Sequence, residues 1–396
     1  MVTENEKAHH LVGGPFLFAA GGKSAIQRKK RPYITDWFIG LLFLFYIYYL
    51  FPMLLADMDQ SDRHYLRQQL TPLQFARPQS FTQNGSELTE YFQRYGFDEL
   101  AQRLDARYFV GPVELGAHIC VAHCWLVGRE PPATPRPTVL LAHGLFDHAG
   151  LFLKLVEALV KHGFNVFLPE LPGHGLSDGD PVHITDFGEY GSVISSSLLL
   201  LNQNPLFGPV SLVGQSTGGA AILRFLLDQA YPVTVHKVVL LAPLVRASHW
   251  NMIRVGMATI GMILPRVPRR FNELNSHDTA FCDFLANDDP LQNRSLPITW
   301  VRAMINWVDW FKRQALLLKQ GRQRLQKAPL LIIQGTDDKT VDWKYNIPQI
   351  TQFFSDTSFT RVIDARHHLV NEDKLWREQV FTGLINFLKQ PANRSS

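Results

Sequence analysis

The stretch Val213-Gly214-Gln215-Ser216-Thr217-Gly218-Gly219 constrains this chain more than any other. It carries the pattern G-x-S-x-G. An apolar run, Val210–Val213, precedes it, and a helix-forming run, Ala220–Leu227, follows. A turn this tight between a strand and a helix needs room for the backbone to bend and pack. Gly214 and Gly218 supply that room and leave Ser216 at the tip, its hydroxyl exposed above a sheet.

The surrounding pattern extends the same architecture. Short apolar runs read as strands at His118–Val127, Thr138–Ala142, Asn165–Leu168, Lys237–Leu241, Leu330–Ile333 and Thr360–Ile363. Helical patterns at Leu151–Lys161, Asp186–Asn202, Gly219–Gln229 and Lys374–Leu388 alternate with them. Such alternation predicts a mostly parallel central sheet flanked by helices. It breaks at about 245–326, where Met252–Leu264 and Trp300–Leu318 are helix-like and rich in apolar and aromatic residues. This insertion is expected to be a helical cap over the site. It holds twelve Arg or Lys and six Asp or Glu. A solvated helix face accounts for that surplus, and so does attraction to anionic lipid head groups.

A free serine hydroxyl is a poor nucleophile, so Ser216 predicts a base, an acid that orients it, and donors for an oxyanion. The acid is expected just past the strand at Leu330. The G-x-x-D-x-x-V register there selects Asp338, with Asp337 and Asp342 as alternatives. The base is expected before the last helix, where the match at Ala365-Arg366-His367 selects His367, with His368 as the alternative. The order Ser216, Asp338, His367 fits a strand–turn–helix nucleophile. The N–H of Thr217 is the first expected oxyanion donor. The second is the N–H of Leu145, in the loop His143-Gly144-Leu145-Phe146 after the strand Thr138–Ala142. His143 and His174 read as structural, bonding backbone in their glycine-flanked turns.

The rest of the chain sets boundaries. The net charge of +4 equals the excess of the basic tail 1–32, so the remainder is neutral and nucleic-acid binding is not implied. Three cysteines are too few for a disulfide framework. Cys120 and Cys124 would lie roughly 13 Å apart along a strand, beyond disulfide reach. His118, Cys120, His123 and Cys124 do not make a metal site, because His123 points to the opposite face of the strand. Residues 33–56 contain an uncharged run from Trp37 to Leu55, close to the roughly 20 residues a membrane-spanning helix needs. Arg28–Arg31 before it and Asp57, Asp59 and Asp62 after it predict a cytoplasmic N-terminus, with the bulk of the chain on the outer (periplasmic) side. Residues 57–106 are charged and mostly helical in pattern, clearest at Tyr91–Leu104, and read as a helical spacer or as packing onto the main domain. The main domain is expected over 107–390, with a short tail at 391–396.

Five motifs then converge: His143 to His148, Leu171 to Gly179, Gly214 to Gly219, Gly335 to Asp338, and Ala365 to Leu369. Together they resemble the α/β-hydrolase superfamily, and within it the monoacylglycerol lipase and lysophospholipase L2 group of serine hydrolases. The resemblance spans about 107–390. It implies an α/β-hydrolase fold with a cap and cleavage of one acyl chain from a glycerol or lysophospholipid, with no metal and no organic cofactor. Gln215 stands where the group commonly has histidine, which leaves the expected triad intact. The N-terminal hydrophobic segment and spacer are not part of the usual compact enzyme and favour a membrane-tethered one. The reading is therefore a single-pass, membrane-anchored serine ester hydrolase acting on monoacyl lipids. An acyltransferase with the same triad, a peptidase-like hydrolase and a non-catalytic scaffold are the alternatives.

Overall fold

The computed structural model describes residues 60–391, apart from 77, 79–85, 131–132, 229–233, 260, 262, 270 and 272–274. The expected tail 1–32, the expected membrane helix 33–56 and residues 392–396 lie outside the described residues. Among the described residues, no helix is long and apolar enough to cross a membrane.

The chain opens with α1 (Gln60–Gln69), α2 (Ser86–Tyr95) and α3 (Phe97–Arg103). It continues through β1 (Ala106–Leu115), β2 (His118–Val127), β3 (Arg136–Ala142), α4 (Leu153–Lys161), β4 (Asn165–Pro169) and α5 (Phe187–Asn202). Next come β5 (Phe207–Gln215), α6 (Thr217–Leu227) and β6 (Val238–Leu241). The insertion holds α7 (Trp250–Thr259), β7 (Arg266–Pro268), α8 (Thr279–Asp283), β8 (Ser295–Pro297) and α9 (Ile298–Lys319). The chain closes with β9 (Leu330–Gly335), α10 (Trp343–Thr351), β10 (Thr357–Val362) and α11 (Lys374–Lys389).

Eight strands form one sheet in the order β1-β2-β4-β3-β5-β6-β9-β10. The first two pairings, β1 with β2 and β2 with β4, are antiparallel; the rest are parallel. The inner strands are buried on both faces, as parallel strands between helical layers must be. Alternation along β3 divides the core. Leu140 and Ala142 join Phe187, Leu198, Ala220 and Trp307 on one side, while Val139 and Leu141 join Phe97, Leu155 and Leu384 on the other. This is the expected α/β-hydrolase architecture.

Three local features differ from the sequence reading. The helical stretch at Tyr91–Leu104 is two helices, because Gly96 between α2 and α3 takes a left-handed φ of 74°. Strand β1 has no counterpart in that reading, since Gly111 and Pro112 interrupt its apolar pattern. Both are tolerated because β1 is an edge strand. A Cβ at Gly111 would lie 2.2 Å from the Thr71 carbonyl oxygen, so the segment after α1 rests directly on this strand. Strand β10 begins at Thr357 rather than Thr360, and its exposed edge position blurs the alternation. Helices α1 to α3 pack onto the domain, one of the two readings of 57–106: Leu66, Leu88, Phe92 and Phe97 belong to the core on one face of the sheet.

Candidate active site

The turn from β5 into α6 holds Ser216 at φ 53°, ψ −113°, a region a residue with a side chain rarely occupies. Close packing enforces it. A Cβ at Gly218 would lie 2.1 Å from the Ala142 carbonyl oxygen, and one at Gly214 would lie 2.7 Å from the Gly218 backbone. The Ser216 N–H donates to the Leu241 carbonyl at 2.9 Å, tying the turn to β6. The side chain that results is nearly buried but points into a cavity.

His367 reaches this serine from the loop between β10 and α11. Its Nε2 accepts from Ser216 Oγ at 2.9 Å, and its Nδ1–H donates to Asp338 Oδ2 at 2.8 Å. The Asp338 carboxylate also accepts from Gln334 Nε2 at 2.9 Å, from the Thr340 N–H at 2.8 Å and from the Val341 N–H at 3.1 Å. Burial penalises the His367 imidazolium, but the Asp338 charge and hydrogen bond outweigh it and raise the pKa above the ordinary value. Burial likewise opposes the Asp338 carboxylate, and His367 overcomes it, lowering that pKa. The competing acids are engaged elsewhere. Asp337 faces Lys339 at 3.2 Å, and Asp342 pairs with Arg246 at 2.6 Å and caps α10. His368 turns away to Asp147, Nε2 to Oδ1 at 3.1 Å.

The loop after β3 faces the serine from the other side. His143 is buried and bonds backbone with both nitrogens: Nδ1–H donates to the Gly144 carbonyl, and Nε2 accepts from the Leu171 N–H, each at 2.8 Å. Burial lowers its pKa to about 4, so it stays neutral. His174 Nδ1 bonds the Pro172 carbonyl at 2.9 Å. The loop turns through Phe146 at φ 67°. Asp147 Oδ2 closes it by accepting from the Gly144 N–H at 3.0 Å. Burial disfavours the Asp147 charge, yet His368 holds its pKa down at about 2. Leu145 and Thr217 both line the cavity beside Ser216. Gln215 faces the base loop, where its Oε1 accepts from the Val370 N–H at 3.1 Å.

Sequence reasoning passed over several residues that hold this arrangement. The adjacent pair His367-His368 supplies two different partners, and spacing alone does not show that the second clamps the loop after β3. Glu372 is fully buried and accepts from the Arg366 N–H at 2.6 Å and the His277 N–H at 2.7 Å, fixing the base loop to the insertion. Asn275 takes the His368 N–H on its carbonyl at 2.8 Å and the Thr340 hydroxyl on its side chain at 3.1 Å. Only the fold brings these segments together.

Above Ser216 lies a cavity of about 540 Å³, within the ordinary range for a small-molecule site. Ile253, Met257, Leu296, Ile298, Trp300 and Met304 of the insertion make most of it apolar. The insertion holds α7, α8 and α9, as a helical cap would, plus a two-stranded antiparallel ribbon of β7 and β8. Phe187 of α5 stacks on Trp307 of α9 at 5.5 Å and seats the long helix on the sheet domain. Among the described residues, no group of histidine, cysteine and carboxylate side chains is arranged to hold a metal ion. Cys120 and Cys124 pack into the core on one side of the sheet, and His123 stacks 4.7 Å from Phe97 on the other.

Residues 133–374, more than half of the chain, match the family described as serine aminopeptidase, S33. The chain is 25% identical over 266 residues to a monoacylglycerol lipase of Mycolicibacterium smegmatis, covering 65% of this chain and 91% of that one. It is 24% identical over 261 residues to a phospholipase of Bacillus subtilis, covering 65% and 96%. A solved structure of a soluble variant of Saccharomyces cerevisiae monoglyceride lipase, in complex with a substrate analogue, superposes with a TM-score of 0.60 at 17% identity. It covers 70% of this chain and 94% of that one, a likeness of fold.

Proposed function

This chain belongs to the serine aminopeptidase S33 family of α/β-hydrolases, and from that premise we propose that it hydrolyses esters of monoacyl lipids through an acyl-enzyme on Ser216. The enzyme is a carboxylic ester hydrolase, as its lipase and phospholipase relatives indicate. The observation that carries the finer reading is the chain Ser216–His367–Asp338 opening onto an apolar cavity.

In this mechanism Ser216 Oγ attacks the ester carbonyl and His367 Nε2 takes its proton. Asp338 holds the imidazole tautomer and stabilises its charged form. The N–H groups of Leu145 and Thr217 receive the negative charge that develops on the carbonyl oxygen. As the intermediate collapses, the carbon–oxygen bond to the alcohol breaks and His367 returns the proton to the leaving oxygen. A water then adds to the acyl-enzyme by the same route, releasing a fatty acid and restoring the serine. The apolar cap favours a single acyl chain in the cavity. An aminopeptidase would instead need a free carboxylate for the peptide's ammonium group. Among the described residues lining the cavity the carboxylate is Asp147, and it is already paired with His368.

Residues 33–56 are proposed as a membrane anchor that would hold the enzyme where such lipids partition, with the N-terminus cytoplasmic and the catalytic domain on the outer side. An acyl acceptor other than water would divert the same acyl-enzyme. The test compares wild type with Ser216→Ala on lysophosphatidylcholine and monoacylglycerol, with and without a competing alcohol. Wild type should release fatty acid, and the variant should lose several orders of magnitude. Labelling of the serine by a fluorophosphonate without release from either lipid would keep the hydrolase and discard the lipid assignment. Acyl transfer in preference to release would make the enzyme a transferase.

A further inference from the structure

Helices α1 to α3 lie outside the residues that match the family, yet they reach the loop that carries Leu145. The connection runs through one buried carboxylate. Asp289 follows a π-helical turn, Phe284–Asp288, whose wide geometry closes with the Asp289 N–H on the Phe284 carbonyl at 2.9 Å. Its Oδ1 accepts from the Tyr95 hydroxyl at 2.6 Å and from the Leu291 N–H at 3.1 Å. Its Oδ2 accepts from His148 Nε2 and from Gln292 Nε2, both at 2.9 Å. Gln292 Nε2 also donates to the Phe146 carbonyl at 3.0 Å. Arg94, next to Tyr95, donates to the Asp288 carbonyl at 3.3 Å.

The loop from Gly144 to His148 is thus gripped at three points. Asp147 is held by His368, while the Phe146 carbonyl and the His148 ring are both held through Asp289 and Gln292. Phe146 sits at φ 67°, a conformation that persists only where its surroundings fix it. Leu145 lies directly before it, so the direction of the Leu145 N–H depends on this grip. The Tyr95 ring packs edge-on against the His148 ring at 4.8 Å. It also lies so close to Gly150 that a Cβ there would come within 2.4 Å of it.

We propose that Tyr95, acting through Asp289, Gln292 and His148, is a positioning residue for the oxyanion loop, so that the N-terminal helices are part of the catalytic apparatus at one remove. The proposal rests on the serine-hydrolase reading above. Oxyanion donors act on charge that exists only in the transition state, so a slackened loop lowers kcat and leaves substrate binding alone.

The test is Tyr95→Phe in the full-length protein, with active sites titrated by a fluorophosphonate and turnover of a monoacyl ester measured per titrated site. The expected result is a fall in kcat of about tenfold with KM changed by less than about twofold, a fraction of what losing a whole oxyanion donor costs. Affinity for a trifluoromethyl ketone, which forms a tetrahedral oxyanion on the serine, should fall in parallel, while affinity for product fatty acid stays constant. Gln292→Met, which removes the donor to Phe146 at similar volume, should do the same, and the two changes combined should be less than additive. An unchanged kcat per titrated site, or a loss confined to KM or to melting temperature, overturns the proposal. If wild type labels but turns over no ester, the labelling rate replaces kcat, because phosphonylation also loads the oxyanion site. Wild type that neither labels nor turns over sinks the hydrolase reading itself, and this inference with it.

Discussion

Ser216 is legible in the sequence because its constraint is on the backbone: two glycines at fixed offsets, each excluded from bearing a side chain by atoms less than 3 Å away. Asp338 and His367 are legible by register, since each falls in the loop that follows a strand, β9 for the one and β10 for the other. The Asp147–His368 pair was not, because its members are far apart in sequence and each belongs to a motif with a simpler reading. The electrostatics yield a prediction at this scale. With the His367 pKa raised by Asp338, the base is neutral and active only above that value, so the acid limb of kcat/KM should lie above the ordinary imidazole value of 6.5. In Asp338→Asn the raising charge is gone and burial remains, so the limb should move to lower pH. Activity should also fall by about 10⁴-fold as the tautomer is lost. A pH–rate profile of both proteins tests this, and a limb that does not move would remove Asp338 from the role.

Elements were read well where burial is two-sided and poorly where it is not. Strands β5, β6 and β9 carry apolar runs buried on both faces and stand out; β1 and β10 lie at the sheet edges and do not. The ribbon of β7 and β8 was invisible because three-residue strands carry almost no periodicity. One connection between elements could not have been anticipated. Lys237, at the head of β6, is buried and donates Nζ to the carbonyls of Phe387 at 2.7 Å, Leu388 at 3.2 Å and Gln390. These carbonyls lie at the C-terminal end of α11, where helix acceptors lack partners within the helix and a positive charge also meets the helix dipole favourably. Lys237→Met should therefore destabilise the fold by about 1–3 kcal/mol, read from urea unfolding. It should leave kcat per titrated active site intact. A variant as stable as wild type would show that these carbonyls are equally well served by water.

For the whole molecule, the buried carboxylates set the response to acid. Asp147 is held at about 2 against an ordinary 3.8, and Asp289 is likewise lowered: burial opposes its charge, and His148, Tyr95 and Gln292 more than compensate. Folded pKa values below the unfolded ones mean that both groups stabilise the protein fully above pH about 4, and that the Asp147 share drains away as pH falls through about 2. Melting temperature should decline over that interval, and less steeply in Asp147→Asn. An equal slope in the two proteins would mean that other carboxylates govern acid unfolding. Sequence alone placed the layers, because strands alternating with helices imply a mostly parallel sheet between them, but it did not give the strand order. Nor could it choose between a spacer and packing for α1 to α3, since amphipathic helices do not announce which surface they cover.

The loop bearing His367 lies between the last strand and the last helix, and Lys237 binds the end of that helix. On a ribosome, the proposed nucleophile would emerge long before its base. A nascent chain would carry an elbow with no proton acceptor and a β6 lysine with nothing to cap. On the proposed mechanism, hydrolytic competence arrives only once the His367 loop and α11 have been made, so the ester-cleaving site stays silent through the synthesis of everything before them.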